Sequence, residues 1–356
     1  MAEPLTLRPS ADRIRTQIEG RGLLVSKATV AAVAQSEMAI QKQIRQHCLE
    51  EYDLENPNSQ QLIQLCFDTE EVLTPHKLRQ SVLGRDILRF RKANATHRIA
   101  GNLLKAMQGE RVHWSHVVVS TGRVEARKFN VQIMPRSLRA AVPSVRGTFA
   151  NVVFPTLEWF ILGAALGDIK ALDEFAYSGA TPEVDEAILE DALCMAAAYD
   201  LPQEVYETQL SKAFGEEETR VALVAMNETY PELFSTYERF RGERSIASLF
   251  GKPLLLDGVG KNPGEYYMHT SCQEVLDALA LRIHLCFEGI GEIVLIDHHS
   301  ILVDLSTSAD FQVFEKTCKL EIGEYSIDPE VQYGATWADV TSGRPSVPCL
   351  YGKRGV

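Results

Sequence analysis

The sequence predicts an α+β fold in which helices surround an antiparallel sheet. Over residues 24–50, apolar side chains recur at three-to-four spacing without Pro or Gly, which is typical of a long amphipathic helix. In contrast, Glu292–Ile296 and Ile301–Leu305 alternate between apolar and polar residues around Asp297–Ser300, which is typical of a β-hairpin. The hairpin makes the predicted sheet antiparallel, and the helical stretches account for most of the remaining chain.

The other elements are predicted in chain order from the same rules. Asn56–Ser59 is predicted to form a turn that supplies the N-cap of a short helix beginning at Gln60. Two helices are predicted over 74–107, with a break near Gly84, and strands are predicted at 117–119 and 151–154. Further helices are predicted over 156–166, 182–199, 202–214, 217–240 with a break near Pro231, and 268–287. The chain is predicted to end with one more helix and a short extended tail.

Composition sets broad limits on the protein. The 356 residues, of which 45% are apolar, suffice for one large or two to three modest domains with real cores. The sequence shows no basic, apolar leader and no run approaching eighteen apolar residues, so we expect a soluble cytoplasmic protein. Its seven cysteines are scattered without a CxxC pair, which favours buried free thiols over a zinc ribbon or a disulfide framework.

Charge is distributed unevenly along the chain. The whole sequence carries a formal net charge of −12 at pH 7. The stretch 77–147, named here the basic block, nevertheless contains 15 Lys and Arg residues against three acidic residues. A solvated helix face would normally interleave acidic residues at i,i+4 spacing, and here they are scarce. A basic block within an acidic protein therefore predicts a surface that binds a polyanion.

Several short motifs follow one another along the chain. Asn58–Leu62 reads NSQQL, Arg111–His113 reads RVH, and Ser120–Pro135 reads STGRVEARKFNVQIMP. Further on, Asn151–Asp168 reads NVVFPTLEWFILGAALGD and Glu292–Leu305 reads EIVLIDHHSILVDL. In order and spacing, these motifs resemble the polymerase portion of family A DNA polymerases, the bacterial DNA polymerase I type, over nearly the whole chain.

The resemblance implies a right-hand polymerase fold with an antiparallel palm sheet, a helical thumb and reduced helical fingers. It implies thumb and N-terminal palm elements in residues 1–110 and the palm with its first catalytic strand in 111–168. Reduced fingers would follow in 169–250, and the palm with its second catalytic hairpin and a C-terminal tail in 251–356.

The resemblance also implies DNA-contacting residues. In the family, the counterpart of Ser120–Pro135 lies along the backbone and minor groove of the primer–template, a position that suits Arg, Asn and Gln side chains. Cations of the basic block would add contacts to phosphates. The DNA-binding residues predicted on these grounds are Arg89, Arg91, Lys92, Thr121, Arg123, Arg127, Lys128, Asn130, Gln132 and Arg136.

The catalytic positions depart from the family pattern. The metal-binding aspartate of the first catalytic strand aligns with Val153, and no acidic residue near Val153 in the sequence replaces it. The family's His-Asp-Glu aligns with His298-His299-Ser300 in the second hairpin. Asp191 stands where the family's fingers carry a cation, and its carboxylate would repel a triphosphate. The positions that keep the family residue are Glu158, Tyr199 and His298.

These departures predict a catalytically inactive pseudo-polymerase that binds duplex or primer–template DNA in replication, repair, a phage or a mobile element. No metal or cofactor is expected, because Mg²⁺ prefers oxygen ligands that Val153 and His299 do not provide.

Alternatives remain open. A divergent active nucleotidyltransferase would bind Mg²⁺ through Asp297, Glu158 or Asp304. A structural subunit would use the same fold to dock onto another replication protein. Asp297 and His299 share a face of the hairpin and could instead hold Zn²⁺ or Mn²⁺, whereas solvated turn histidines are the simpler interpretation.

Overall fold

The computed structural model describes most of the chain. The described residues are 7–69, 73, 75–119, 123–154, 157–158, 160–161, 208, 210–211, 215–229, 231–256, 262–322 and 325–341. The predicted helix over 182–199 and most of the one over 202–214 lie outside these residues. Within the described ranges, no helix combines the length and apolar character that crossing a membrane requires.

Helices dominate the N-terminal third of the described chain. They are α1 (Leu7–Arg21), α2 (Lys27–Tyr52), α3 (Gln60–Cys66), α4 (Pro75–Arg79) and α5 (Val82–Ala106), with the short strand β1 (Leu23–Leu24) after α1.

Side-chain caps confirm two of the predicted helices. Ser26 accepts a hydrogen bond from the N–H of Thr29 at the start of α2, and Ser59 accepts one from Leu62 at the start of α3. The long helix and the short helix after the turn are therefore confirmed. α1 was not predicted.

The predicted helix break near Gly84 lies before that residue. α4 ends at Arg79 and α5 begins at Val82, where Ser81 Oγ accepts from the N–H of Gly84 at 2.8 Å. Gly84 lies inside α5, and a Cβ on it would be 1.9 Å from the carbonyl oxygen of Leu78. Glycine therefore permits close approach of the preceding backbone here and does not end a helix.

Replacing Gly84 with Ala should destabilise the protein by about 1–3 kcal/mol, because the new methyl group would overlap the Leu78 backbone. Gly101→Ala in the same helix is the matched control, since a Cβ there meets nothing within 4 Å. Ala is the better helix former, so the control should stabilise the protein by about 0.4–1 kcal/mol. Urea unfolding followed by circular dichroism measures both, and equal effects would contradict the close approach.

The remaining chain alternates short strands and helices. Its strands are β2 (Met107–Gln108), β3 (Arg111–Val112), β4 (Ser115–Val118), β5 (Val124–Arg127), β6 (Gly147–Val153), β7 (Ser245–Ala247), β8 (Pro253–Leu255), β9 (Gly291–Ile296), β10 (Ser300–Ser306), β11 (Leu320–Ile322), β12 (Tyr325–Ile327) and β13 (Glu330–Gly334). Its helices are α6 (Arg136–Arg139), α7 (Glu216–Thr229), α8 (Pro231–Gly242), α9 (Pro263–Cys286) and α10 (Phe311–Cys318), and a 3₁₀ turn covers Val131–Ile133. The predicted break near Pro231 is confirmed by the boundary between α7 and α8.

Four strands within the described residues form the central sheet, in the order β13–β6–β10–β9, with every pair antiparallel. β9 and β10 are the predicted hairpin, and β6 contains the predicted strand near Asn151. β6 lies between β10 and β13 and is therefore an interior strand. The prediction of a short extended tail after the last helix was wrong, because β11, β12 and β13 follow α10 and β13 completes one edge of the sheet.

Two hydrophobic clusters fill the described interior. The smaller one joins α2, α3, α4 and α5 through residues such as Ile44, Leu78 and Phe90. The larger one packs α1 and α9 against the central sheet, with Phe149 and Met268 among its buried members. Residues 44–90 therefore share a small core of their own.

The cysteines follow the prediction of buried thiols only in part. Cys48, Cys272 and Cys318 are buried, whereas Cys66 and Cys286 are exposed. The two exposed thiols occupy the last residues of α3 and α9, where the helix ends leave the core.

Candidate active site and nucleic-acid interface

Val153 and His299 lie next to each other at one end of the central sheet. Val153 ends β6, and Ser300, the first residue of β10, is its cross-strand partner. The N–H of Phe154 donates to the carbonyl oxygen of His299 at 2.9 Å. The two positions that align with the family's metal ligands are therefore neighbours in the fold, on an interior strand and its adjoining turn.

Polar side chains surround this pair. Nδ1 of His299 lies 3.1 Å from Oε1 of Glu158, whose side chain is 4% exposed. Nδ1 has no hydrogen-bond partner among the described residues, so this is a close approach without hydrogen-bond geometry. Nε of Arg123 donates to Nε2 of His298 at 2.6 Å. Because an arginine can only donate, His298 accepts through Nε2 and is neutral, with its proton on Nδ1.

Burial lowers the pKa of two histidines near this site, His298 and His269. The pKa of His298 is lowered to about 4, first by burial and then by Arg123 and His299, while Asp297 acts in the opposite direction. His269 on α9 is also buried, and its pKa lies well below the ordinary value because burial disfavours the charged imidazolium and Arg123, His298 and His299 lie close enough to disfavour a further positive charge. The sequence analysis missed His269, because a single histidine in an apolar helix gives no sign of its neighbours until α9 packs against the hairpin.

Arg123→Met should raise the pKa of His298 above its value of about 4, because it removes a positive charge that opposes protonation. Arg127→Met is the matched control, since Arg127 is exposed and pairs with Glu125 at 3.7 Å. Titration of the imidazole signals by NMR measures both variants. A pKa that does not change in Arg123→Met would contradict the Arg123–His298 contact.

The same pKa determines how His298 affects stability. Its folded pKa of about 4 lies below the ordinary value of 6.5, so the unfolded chain takes up this proton first. The contribution of neutral His298 to the free energy of unfolding is therefore complete above about pH 6.5 and is lost as the pH falls towards 4. Arg123→Met should narrow the pH range over which this stability is lost, because it raises the folded pKa of His298 towards the unfolded value.

The two aligned positions, Val153 and His299, offer no oxygen ligand to a Mg²⁺ ion. An isopropyl group at Val153 and an imidazole at His299 cannot replace the hard oxygen ligands that Mg²⁺ requires. Asp297 uses Oδ1 to accept from the N–H of His298 at 2.8 Å. Among the described residues, no three His, Cys, Asp or Glu side chains are grouped so that they could hold a metal ion.

Asp304 is not a ligand candidate. It lies four residues beyond Ser300 on β10, which is about 13 Å along the strand. Its carboxylate is buried and accepts hydrogen bonds from Ser144 Oγ at 2.6 Å, the N–H of Val145 at 2.9 Å and the N–H of Arg146. Asp304 therefore organises the turn before β6, at the end of the sheet away from Val153.

Glu330 is a carboxylate that the sequence analysis missed. It is the cross-strand partner of Val153 on β13. Directly opposed residues of antiparallel strands project from the same face of a sheet, so Glu330, Val153 and Ser300 form one row. We expected no acidic residue near Val153. That expectation considered only neighbours in the sequence, and it is wrong for the folded protein, where Glu330 lies opposite Val153.

One face of α5 is basic and exposed. Arg85, Arg89 and Lys92 are spaced by four and three residues, which places them on one side of the helix, and all three are exposed. Arg91 differs, because it is partly buried, donates to Oε1 of Gln60 at 3.4 Å and has a pKa lowered by burial. Arg89 and Lys92 thus lie on a surface open to a polyanion, whereas Arg91 belongs to the contact between α3 and α5.

The segment after β4 also presents exposed cations. Arg127, Lys128 and Arg136 are exposed, and Lys128 adopts a left-handed backbone conformation with φ 72°. Lys128 and Lys105 line one cavity of about 400 Å³ between α5 and this segment, together with Ile99, Asn102, Phe129 and Asn130. Two lysines that are distant in the sequence therefore converge on one surface.

Two other residues predicted to contact DNA, Asn130 and Gln132, instead form hydrogen bonds with the backbone of their own segment. Asn130 accepts from the N–H of Gln132 at 3.0 Å. Gln132 accepts from the N–H of Ala126 at 3.3 Å and donates to the carbonyl of Val124 at 3.4 Å. In this structure, Asn130 and Gln132 thus shape the segment that carries Arg127 and Lys128.

Part of the basic block stabilises the fold. Arg111 donates to the carbonyl of Gly22 at 3.0 Å. Arg139 lies 4.5 Å from the ring centre of Trp337, and its pKa is lowered by burial. Arg146 pairs with Glu292 at 3.3 Å. The charge of the block therefore overstates the cations available to a polyanion.

Thr121, Asp191 and Tyr199 lie outside the described residues. The predictions for these three positions, including the repulsion of a triphosphate, remain predictions.

Comparison with solved structures relates this arrangement to a known fold. The chain matches the polymerase domain of Pol1 from M. smegmatis, solved in complex with DNA primer-template and dNTP, with a TM-score of 0.73 over 94% of this chain and 70% of that one. This chain has the fold of a polymerase domain. The two sequences are 15% identical, so the match concerns the fold alone. No protein-family model and no curated protein matches the sequence.

Proposed function

We propose that this protein is a catalytically inactive relative of family A DNA polymerases that binds duplex or primer–template DNA. The observation that carries the proposal is the pairing of Val153 and His299 at the end of the central sheet. The alignment with the family puts its metal-binding aspartates at these two neighbouring positions. An interior strand and a hairpin turn bring the positions together, yet neither residue offers a carboxylate.

The contacts around the pair support inactivity. His298 receives a hydrogen bond from Arg123, and His299 lies beside Glu158, the acidic residue that the resemblance identifies as retained. These contacts engage Nε2 of His298 and bring the Glu158 carboxylate against the imidazole of His299. The imidazoles of His298 and His299 provide no hard oxygen ligand for Mg²⁺.

DNA binding is supported by the exposed cations. Arg85, Arg89 and Lys92 form a stripe on α5, and Arg127 and Lys128 extend from the end of β5. Such residues bind phosphates without reading sequence. The Pol1 domain of similar fold was solved with primer-template DNA, and we assign the same class of ligand to this chain.

The right-hand layout is part of this proposal. The central sheet with β9 and β10 would be the palm, α2 to α5 the thumb, and the region from 169 to 250 the reduced fingers. The separate small core of residues 44–90 supports a thumb that packs as its own unit.

One gel-shift series tests DNA binding directly. Labelled single-stranded DNA, duplex and primer–template of the same sequence are titrated with the purified protein alone. Duplex and primer–template should bind more tightly than the single strand. Absence of binding to all three would reject the DNA-binding function and favour a docking subunit that needs a partner.

One observation favours an active alternative. Glu330 opposes Val153 across the sheet and is exposed, so a carboxylate lies beside the aligned metal position. In that alternative, Glu330 would act with Asp297 and Glu158 as a divergent metal site. Primer extension distinguishes this alternative from the inactive protein.

A further inference from the structure

A second cavity lies at the opposite end of the central sheet. Its volume is about 380 Å³, and its lining includes Gln17, Arg21, Arg146, His284, Glu288 and Glu292. β6 leaves this end at Gly147 and reaches the His299 turn at Val153, about 20 Å away along the strand. This cavity, named here the arginine pocket, is therefore separate from the site described above.

Two arginines in the pocket are held by one carboxylate. Nε of Arg21 lies 2.9 Å from Oε1 of Glu292, and Nε of Arg146 donates to Oε2 of Glu292 at 3.3 Å. Nη1 of Arg21 donates to the carbonyl of Ile293 at 3.0 Å, and Nη1 of Arg146 donates to that of Gly289 at 3.1 Å. Backbone and carboxylate contacts thus fix both guanidinium planes.

Each of these guanidinium groups keeps an unused edge. The Nη2 groups of Arg21 and Arg146 have no acceptor within the part of the chain that the structure describes. Both arginines contact the same carboxylate and both line the cavity. Donors fixed in this way lose little rotational freedom when an anion arrives.

Charges of both signs surround the pocket. Burial lowers the pKa of Arg21, Glu292 opposes this effect, and the nearby charges of Arg111 and Arg146 lower the pKa further. Glu292 is shared between two arginines, and Glu288 is exposed. The neighbouring Asp304 is already bound by Ser144 and backbone N–H groups. Arg21, Arg111 and Arg146 are thus matched by the carboxylates of Glu288, Glu292 and Asp304, so an anion would bind through the unused Nη2 donors and not through a surplus of positive charge.

We propose that the arginine pocket binds the phosphoryl group of a small phosphorylated molecule. Two guanidinium edges suit a dianion, and a phosphate monoester carries about −1.5 to −2 charges at pH 7. The cavity of about 380 Å³ exceeds the volume of a lone phosphate and falls within the range of small-ligand sites, so room remains for the group attached to the phosphate. This site goes beyond the proposed DNA-binding function and does not depend on it.

The test uses the full chain with arginine ¹⁵N labelling. Inorganic phosphate and ribose 5-phosphate are titrated separately, and the Nε–H signals of Arg21 and Arg146 are followed by NMR after assignment with Arg21→Lys and Arg146→Lys. Both probes should shift these two signals. Ribose 5-phosphate should bind more tightly than inorganic phosphate, because the attached sugar fills more of the cavity.

Calorimetric titration then measures the effect of each substitution. Arg146→Lys keeps the charge but loses the planar fork, and it should weaken ribose 5-phosphate binding about tenfold. Arg220→Lys is the matched control, since Arg220 is exposed and pairs only with Glu217 on α7. Its affinity should equal that of the unmodified protein.

Three outcomes would overturn the proposal. The first is the absence of any shift of the Arg21 and Arg146 signals in the unmodified protein at millimolar probe, a result that does not depend on how a variant folds. The second is tighter binding of an acidic pentapeptide than of ribose 5-phosphate, which would assign the pocket to a protein partner. The third is a loss of duplex DNA affinity in Arg146→Lys, which would assign it to the DNA surface.

Discussion

Purified protein is expected to extend no primer with either Mg²⁺ or Mn²⁺. Two-metal phosphoryl transfer needs carboxylates that hold both ions against the attacking and leaving oxygens. Here the two neighbouring positions carry the isopropyl group of Val153 and the imidazole of His299. Removing one preorganised electrostatic group commonly lowers a rate by about 10²–10³-fold, so loss of both anchors should lower extension by at least about 10⁴-fold.

A labelled primer–template assay resolved by gel measures this expectation. The matched control is a Glu158→Gln, Glu330→Gln double variant purified in parallel, because it removes both carboxylates next to the Val153–His299 pair. Extension that disappears in the double variant would belong to this chain, would contradict inactivity and would make Asp297, Glu158 and Glu330 ligand candidates. Extension of equal strength in both preparations would come from a contaminating polymerase.

Duplex DNA affinity is expected to fall steeply with salt. Each phosphate neutralised by a protein cation contributes a slope of about −0.9 to the dependence of log K on log salt. Arg85, Arg89, Lys92, Arg127 and Lys128 are exposed and could each bind one phosphate. With about five contacts, affinity should fall by about 10²–10³-fold between about 50 and 200 mM salt.

Paired substitutions locate the contacts on α5. Arg89→Gln with Lys92→Gln should reduce the magnitude of the slope by about 2, because two phosphate contacts are lost. Arg91→Gln is the control from the same turn of the helix, since Arg91 is partly buried against Gln60, and it should leave the slope unchanged. A slope that is flat in the unmodified protein, or equal changes in the two variants, would contradict DNA binding by this face. Fluorescence anisotropy at five salt concentrations measures each slope.

Local sequence determined the elements whose rules act over a few residues. The helix α2, the capped helix α3 and the β9–β10 hairpin follow from apolar periodicity, a capping serine and alternation around a turn. The motif order also predicted the polymerase fold that the comparison with Pol1 supports. These patterns can be recognised in the sequence because residues that are close in the chain are also close within a helix or a hairpin.

Other features were predicted only in part, for a physical reason. Gly84 was interpreted as a helix break, yet its role comes from the Leu78 backbone that packs against it. A short extended tail was expected where β13 lies. The strand could not be predicted locally, because its stability comes from pairing with β6, which is distant in the chain. The net charge of the basic block did not distinguish the exposed Arg89 from Arg139, which is partly buried against Trp337.

The sequence by itself determined which side chains are present at the aligned catalytic positions, and so it determined that Val153 and His299 bring no carboxylate there. Only the tertiary structure decided what surrounds them. It brought Glu330 opposite Val153, His269 beside the hairpin, Arg123 onto His298, and Arg21 with Arg146 onto Glu292. Each of these contacts joins residues far apart in the chain, and such pairings follow from packing and sheet register, which no local pattern encodes.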